Sequence, residues 1–176
     1  YGSPLSAFGQ RLGLPIAWPI VVVWNGQTIV ASDGRLYRAV PGDRGEPTRF
    51  ELCANQPPRG AWALAAWGSH MLVGNGYELF GVEPDGTLQP IESVGHLAHL
   101  VMVDENRCFL IGRSEIALLE WRHGHWIETV PRIDGVANPS IVHRVMDSVW
   151  IEMGGDGVAR LWTHDGRLQL DVIANA

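Results

Sequence analysis

The stretch Ser140–Ile173, which reads SIVHRVMDSVWIEMGGDGVARLWTHDGRLQLDVI, decides the fold class. It contains short runs of β-branched and apolar residues, and turn-forming residues separate these runs. Asp165-Gly166 is a dipeptide that favours the positive φ angles of a tight hairpin. No part of the stretch keeps the i, i+3, i+4, i+7 spacing of an amphipathic helix. The stretch therefore predicts four strands connected by three turns.

The same order of strands and turns occurs three more times along the chain. The other units are Trp18–Cys53, Trp62–Val94 and Leu97–Val130. The second strands of the four units hold equivalent apolar residues about 40 residues apart, at Ile29, Leu72, Leu110 and Trp150. A period of this length with four strands per unit is typical of a β-propeller blade. We therefore predict an all-β fold, a β-propeller made of four-stranded antiparallel blades, with about four blades present.

The period also predicts the strand and blade boundaries. The second strands are predicted at Thr28–Ala31, Met71–Gly74, Phe109–Gly112 and Val149–Glu152. The third strands are predicted at Arg35–Ala39, Glu78–Val82, Glu115–Glu120 and Val158–Trp162. The predicted blades span residues 17–54, 60–95, 97–135 and 140–175, and residues 1–16 are predicted to be the end of a preceding blade and its junction.

Composition excludes several classes of function. The chain has 176 residues, all 13 of its basic residues are arginine, and its net charge is −6. The absence of lysine excludes Schiff-base and P-loop lysine chemistry. The acidic balance argues against nucleic-acid binding, which requires a basic surface. No apolar run approaches the length of about 20 residues that a membrane-spanning helix needs, and no signal-peptide pattern is visible.

One family resemblance rests on three motifs. Asp147–Leu161 (DSVWIEMGGDGVARL) resembles the propeller repeat of two-component regulator sensors, in which a Trp-Ile strand precedes a Gly-rich turn and a Gly-Leu-x-Arg-Leu-like strand. Ser32–Arg38 (SDGRLYR) resembles the same turn and third strand, and Phe8–Pro15 (FGQRLGLP) resembles the junction between blades. In the two middle units, Asn75-Gly76-Tyr77 and Arg113-Ser114-Glu115 replace the Gly-rich turn.

The resemblance implies a sensory function. Sensors of this kind have seven-bladed rings, which need roughly 280–300 residues at this period, so the resemblance implies a partial or excised propeller. It also implies a periplasmic or extracellular ligand-binding region of a membrane-anchored sensor, with a downstream kinase or cyclase output domain in the same longer protein. Closure with another chain and a four-bladed ring closed by the N-terminal strand are alternatives. The exposed apolar sheet faces of an unclosed arc favour a homo-oligomer.

Ligands usually meet a propeller at the face formed by the turns between second and third strands and by the blade junctions. The polar candidates for ligand binding on this face are Asp33, Arg59, Asn75, Tyr77, Arg113 and Asp156. The starts of the first strands carry further candidates, expected at comparable points near the channel mouth: Trp18, Trp62, His99 and His143. An aromatic face there stacks on a sugar ring, so these residues predict a small polar ligand such as a saccharide. The structural alternative is that the turn residues bond their own backbone and that tryptophan fills space between blades.

Catalytic and metal chemistry finds little support in the sequence. His96-x-x-His99 and His123-x-His125 have the spacing of metal ligands, but no cysteine or carboxylate is placed to serve as a third ligand. No metal or other cofactor is therefore expected. There is no nucleophile elbow and no Gly-rich phosphate loop before a helix. We therefore expect a sensor that is not an enzyme. The alternatives are a propeller-fold carbohydrate-active hydrolase or lyase and a protein–protein interaction scaffold. Cys53 and Cys108 are predicted to be free and partly buried.

Overall fold

The computed structural model describes residues 12–15, 18–43, 46–91, 97–129, 131–134, 138–154 and 157–173. Within these ranges the regular structure consists of 17 β-strands and no α-helix. None of the described residues therefore belongs to a helix with the length and hydropathy needed to cross a membrane. The predicted all-β fold class is confirmed. Of the predicted remnant of a preceding blade at 1–16, residues 1–11 and 16 lie outside the described ranges.

The first two units of the sequence repeat each form a four-stranded sheet whose strands pair in chain order. Sheet one comprises β1 (Ile20–Trp24), β2 (Gln27–Ser32), β3 (Arg35–Val40) and β4 (Arg49–Leu52). Sheet two comprises β5 (Ala63–Trp67), β6 (His70–Gly74), β7 (Leu79–Val82) and β8 (Leu88–Ile91).

The last two units form sheets of the same order. Sheet three comprises β9 (Leu97–Met102), β10 (Arg107–Gly112), β11 (Glu115–Arg122) and β12 (His125–Glu128), and the short β13 (Ile133–Asp134) also pairs with β11. Sheet four comprises β14 (Ile141–Val145), β15 (Ser148–Glu152), β16 (Val158–His164) and β17 (Arg167–Ile173). The predicted four-stranded antiparallel units are therefore confirmed.

The hairpin between β16 and β17 shows why these residues form strands. Asp165 and Gly166 have φ angles of 49° and 71°, the left-handed values of a two-residue turn whose twist matches that of the flanking strands. Along β16, Ala159 and Leu161 are buried while Val158 and Arg160 are exposed, which is the period-two alternation of a strand with one covered side. The turn residues and the alternation of buried and exposed residues thus both favour a β-hairpin here.

The pairing register corrects one predicted equivalence. Leu110 lies in a second strand as predicted, but the equivalent of Ile29 in sheet three is Phe109. The pairs Ala31↔Leu36 in sheet one and Ile111↔Ile116 in sheet three each enclose four residues and therefore correspond. Phe109 precedes Ile111 by the same two residues that separate Ile29 from Ala31. The connection between β9 and β10 is longer than the two-residue turn between β1 and β2. A one-residue offset reverses the side on which a residue lies.

The chain divides into two compact parts, each larger than one sequence repeat, which we call the first and the second unit from here on. The first holds sheets one and two except Leu79 and the end of β8, and the second holds those residues with sheets three and four. In the first unit the core lies between the two sheets and includes Ile29, Leu36 and Met71. In the second unit the core includes Phe109 and Ile151. We call the side of sheet one that faces sheet two, and the side of sheet three that faces sheet four, the front side of that sheet. Sheets two and four pack there with their rear sides, so the front side of sheet two or four is its opposite side.

Candidate functional site

The turns between second and third strands lie against the junctions that follow the fourth strands. In the first unit, the backbone N–H of Ala61 donates to the Gly34 carbonyl at 2.8 Å. In the second unit, Leu97 N–H donates to Gly76 O and Asn138 N–H donates to Arg113 O, both at 3.1 Å. Each junction therefore returns to the turn of the preceding repeat, so the two kinds of predicted ligand-binding segment lie side by side.

Trp62 is the largest exposed side chain at the junction of the first unit, with 57 % of its surface accessible. Its backbone N–H donates to Gly74 O at 2.8 Å, which fixes the residue just before β5. The indole lies against two glycines. A Cβ on Gly34 would lie 3.1 Å from Trp62 Cζ2, and one on Gly60 would lie 3.1 Å from Trp62 Nε1. Glycine at both positions therefore lets the ring sit directly on the backbone.

The two glycines that contact this ring each follow a charged residue, and the two charges are opposite. Asp33 immediately precedes Gly34, Arg59 immediately precedes Gly60, and both side chains are exposed. We call these five residues, Asp33, Gly34, Arg59, Gly60 and Trp62, the Trp62 platform. It combines a supported aromatic surface with one anionic acceptor and one cationic donor. The sequence predicted Asp33, Arg59 and Trp62, predicted Gly34 only as a turn residue and did not single out Gly60.

The other predicted turn residues have different environments. Asn75 is only 6 % exposed, whereas Tyr77 is 60 % exposed. The two lie in different units of the chain, and a buried amide is typical of a turn that is held by its own hydrogen bonds. Arg113 is exposed. Asp156 lies outside the described residues.

The candidates at the first strands lie at similar but not identical points. His99 pairs with Ile111, which is the equivalent of Glu152, whereas His143 pairs with Trp150. Each histidine is the third residue of its strand, but the partner of His99 lies one residue before the end of β10 and the partner of His143 two residues before the end of β15. Trp18 and Trp62 are not equivalent either, because Trp18 lies two residues before β1 and Trp62 directly precedes β5. Connections of unequal length, invisible to a count based on the average period, cause these offsets.

His99 has the environment of a structural histidine. Its ring is half-buried, and Nε2 lies 3.3 Å from the Pro139 carbonyl oxygen, to which it donates in the appropriate tautomer. Burial lowers the pKa of His99, and the hydrogen bond to Pro139 opposes this effect only partly. The neutral imidazole therefore ties β9 to the junction that precedes β14.

A separate cleft of about 340 Å³ lies between sheets one and two. Most of its lining is apolar, and Cys53 and Arg38 contribute to its wall. Burial raises the pKa of the Cys53 thiol and outweighs the opposing effect of Arg38, so the protonated, weakly nucleophilic form is favoured. Both cysteines are free, as predicted, and Cys53 is half-buried as expected. Cys108 is fully buried and not partly buried, because it lies in the middle of sheet three. Among the residues that the structure describes, no three His, Cys, Asp or Glu side chains are grouped to hold a metal ion.

No protein-family model matches this chain, and no curated protein matches it. Solved structures do. The chain is similar to the N-terminal domain of Nup159, with a TM-score of 0.59 and 10 % identity, covering 88 % of this chain and 47 % of that one. It is also similar to PorZ, a surface component of the type-IX secretion system of Porphyromonas gingivalis (TM-score 0.61, 14 % identity, 86 % of this chain, 20 % of that one).

A third similar structure is a putative 6-phosphogluconolactonase from Bacteroides uniformis, with a TM-score of 0.59 and 13 % identity, covering 86 % of this chain and 55 % of that one. The chain thus spans about half the length of the Nup159 domain and a smaller part of PorZ. At identities this low, similarity concerns the fold and carries no function over. The chain has a β-propeller-like fold of four successive four-stranded units.

Proposed function

We propose that this chain is the ligand-recognition part of a sensory β-propeller and that the Trp62 platform binds a small polar ligand such as a saccharide. The observation that carries the proposal is the exposed indole of Trp62, seated on Gly34 and Gly60, which directly follow Asp33 and Arg59 in the sequence. The proposal assigns a binding function without a catalytic step.

The chemistry of a saccharide fits this arrangement. One face of a pyranose presents C–H groups that stack on an aromatic ring, while its hydroxyl groups both donate and accept hydrogen bonds. Asp33 offers acceptors and Arg59 offers donors, and each residue directly precedes a glycine that contacts the ring. Because the glycine backbone already supports Trp62, little side-chain freedom remains to be lost on binding.

The sensory role rests on the resemblance of Ser32–Arg38 and Asp147–Leu161 to the propeller repeat of two-component regulator sensors. The proposal therefore extends to a periplasmic or extracellular location and to a kinase or cyclase output domain downstream in a longer membrane-anchored protein. The net charge of −6 disfavours nucleic acid as the ligand.

The test is isothermal titration calorimetry of the purified chain with soluble oligosaccharides. The ligands are cellohexaose, chitohexaose, laminarihexaose and oligogalacturonate. We expect at least one to bind, and Trp62→Ala to weaken that binding about tenfold or more, as loss of an aromatic anchor does. Trp67→Ala is the matched control, because Trp67 is an exposed tryptophan at the opposite end of β5. Absence of binding, or equal losses in both variants, would contradict the proposal. Cleavage of a bound oligosaccharide would instead assign the hydrolase or lyase alternative.

A further inference from the structure

The cleft between sheets one and two lies where the outer strands of the two sheets separate. The inner strands β1 and β5 lie close together, whereas the outer strands β4 and β8 are farther apart. Sheets arranged like propeller blades diverge toward their outer strands in this way. The opening of about 340 Å³ is therefore a consequence of the fold, and it leaves the front side of sheet one only partly covered.

The lining of the cleft is mostly apolar from its inner part to its mouth. Ile29 and Leu36 of sheet one and Met71 of sheet two line the inner part, and each is at most 3 % exposed. Leu52 of β4, which is 49 % exposed, and Leu88 of β8 line it at the outer strands. An occupant therefore contacts mainly apolar side chains, and such contacts are favourable because they remove apolar surface from water.

Two hydrogen bonds between the sheets hold the walls of the cleft in place. The indole Nε1 of Trp24 donates to the Ser69 carbonyl at 2.9 Å, and Asn55 Nδ2 donates to the Gly86 carbonyl at 2.9 Å. Ser69 and Gly86 belong to two different turns of sheet two, so sheet one is tied to sheet two at two separate points. Walls that are already fixed lose little conformational freedom when a ligand enters.

The charges in the described lining are opposite, and both have partners within the protein. Arg38 Nη2 donates to Glu51 Oε2 at 3.0 Å, and Asp85 Oδ1 accepts from the Thr87 N–H at 2.8 Å. Burial raises the pKa of the Cys53 thiol in the same wall, so this group is uncharged at neutral pH. A charged ligand would lose hydration and compete with these partners, and the lining therefore favours an uncharged one.

The volume of the cleft sets the size of its ligand. A cavity of about 150 Å³ with apolar walls holds one benzene ring, and pockets that bind small molecules begin at about 300 Å³. The cleft, at about 340 Å³, therefore has room for two fused rings.

We propose that the cleft between sheets one and two binds a small, uncharged, apolar molecule of about the size of two fused aromatic rings. The site is separate from the Trp62 platform, because Trp62, Asp33 and Arg59 are not among the lining residues that the structure describes. The proposal therefore stands or falls independently of saccharide binding.

Isothermal titration calorimetry of the purified chain at pH 7 with 2-naphthol and with naphthalene-2-sulfonate tests the ligand class. The two probes share the fused rings, but only the sulfonate is charged at this pH. We expect 2-naphthol to bind at one site, about tenfold or more tightly than the sulfonate. No saturable binding of 2-naphthol up to about 1 mM, or equal or tighter binding of the sulfonate, would overturn the proposal.

Protection of a thiol shows whether the bound probe occupies this cleft. Cys53 lines the cleft and is half-buried, whereas Cys108 is fully buried, so modification of the folded chain by N-ethylmaleimide reports on Cys53. We expect 2-naphthol at about ten times its Kd to slow this modification about tenfold. Cys53→Ser is the control and is expected to abolish the modification. An unchanged rate in the presence of 2-naphthol would place the probe elsewhere and overturn the proposal.

A variant that fills the mouth of the cleft gives a second measurement. Ala54 is an exposed residue of the lining, so we expect the indole of Ala54→Trp to occupy the mouth and weaken 2-naphthol binding about tenfold or more. Val23→Trp is the matched control, because Val23 is 64 % exposed and lies outside the described lining. Circular dichroism is expected to be unchanged in both variants. Unchanged binding in Ala54→Trp, or equal losses in both variants, would overturn the proposal.

Discussion

Gly34 illustrates how one residue serves both the hairpin and the candidate site. Asp33 and Gly34 form the turn between β2 and β3 with φ angles of 49° and 70°. At the same time, a Cβ on residue 34 would lie 3.1 Å from the ring of Trp62, which is closer than ordinary van der Waals contact. A substitution at Gly34 therefore lowers the free energy of unfolding for two separable reasons, the strained backbone conformation and the displacement of the indole.

Gly34→Ala is predicted to lower the free energy of unfolding by more than Gly26→Ala does. Gly26 has a similar φ of 73°, but a Cβ added there would meet no atom within 4 Å, so its substitution costs about 1–2 kcal/mol of backbone strain alone. At Gly34 the shift of Trp62 adds about 1 kcal/mol or more. Urea unfolding monitored by tryptophan fluorescence measures both values. Equal costs would show that the indole does not rest on this glycine.

His99 is predicted to make the free energy of unfolding depend on pH. Burial lowers the pKa of His99 in the folded chain below its ordinary value of 6.5. Below pH 6.5 the unfolded chain therefore binds the proton more readily than the folded chain, so this contribution is complete above pH 6.5 and is lost as the pH falls toward the folded-state pKa.

Urea unfolding of the wild type and of His99→Gln at pH 7.5 and pH 5 tests this prediction. Glutamine retains a donor for the Pro139 carbonyl, so we expect His99→Gln to lose less stability on acidification than the wild type loses. His143→Gln is the control, because His143 is exposed. A wild-type pH dependence that persists unchanged in His99→Gln would assign it to other groups.

At the scale of elements, one side chain closes the end of sheet one. Gln56 Oε1 accepts from Leu36 N–H at 2.8 Å, and Gln56 Nε2 donates to the carbonyls of Leu36 at 3.0 Å and Cys53 at 2.8 Å. The amide thus continues the pairing along β3 beyond the end of β4 and orients the junction that leads to Trp62. Buried backbone groups need such partners.

Gln56→Ala is predicted to destabilise the chain by about 1–3 kcal/mol, because it leaves the N–H of the buried Leu36 without the Gln56 acceptor. The Leu36 carbonyl keeps the hydrogen bond that Cys53 N–H donates to it at 2.9 Å. Asn55→Ala is the matched control. Asn55 makes one exposed hydrogen bond, to Gly86 O at 2.9 Å, and its loss is expected to cost about 0.5–1 kcal/mol. Chemical denaturation distinguishes the two, and a similar cost at both positions would contradict the proposed role of Gln56.

At the scale of the whole molecule, two apolar cores of the described residues each lie within one unit of the chain. Phe109 and Val73 are both fully buried, the first between sheets three and four and the second between sheets one and two. Each core draws its residues from one unit of the chain. Loss of a core side chain is therefore expected to act first on the unit that contains it.

Phe109→Ala is predicted to cost about 3–5 kcal/mol and to speed amide hydrogen exchange in β9–β17 more than in β1–β6. Val73→Ala, a smaller truncation, is predicted to speed exchange in β1–β6 first. Exchange measured by mass spectrometry at peptide resolution compares the two variants. If both variants accelerated exchange uniformly along the chain, the two cores would have to unfold as one cooperative unit.

The sequence by itself determined the all-β class, the four-stranded repeat and the candidate residues Asp33, Arg59 and Trp62. These features are local, because a dipeptide such as Asp165-Gly166 sets its own hairpin and alternation sets each strand. The tertiary structure alone decided which side of a strand each residue takes and what lies under Trp62. An average period cannot resolve a one-residue difference in a connection, yet that difference moves the equivalence from Leu110 to Phe109. The support from Gly60 likewise depends on a contact made only when the junction folds back onto the turn at Gly34.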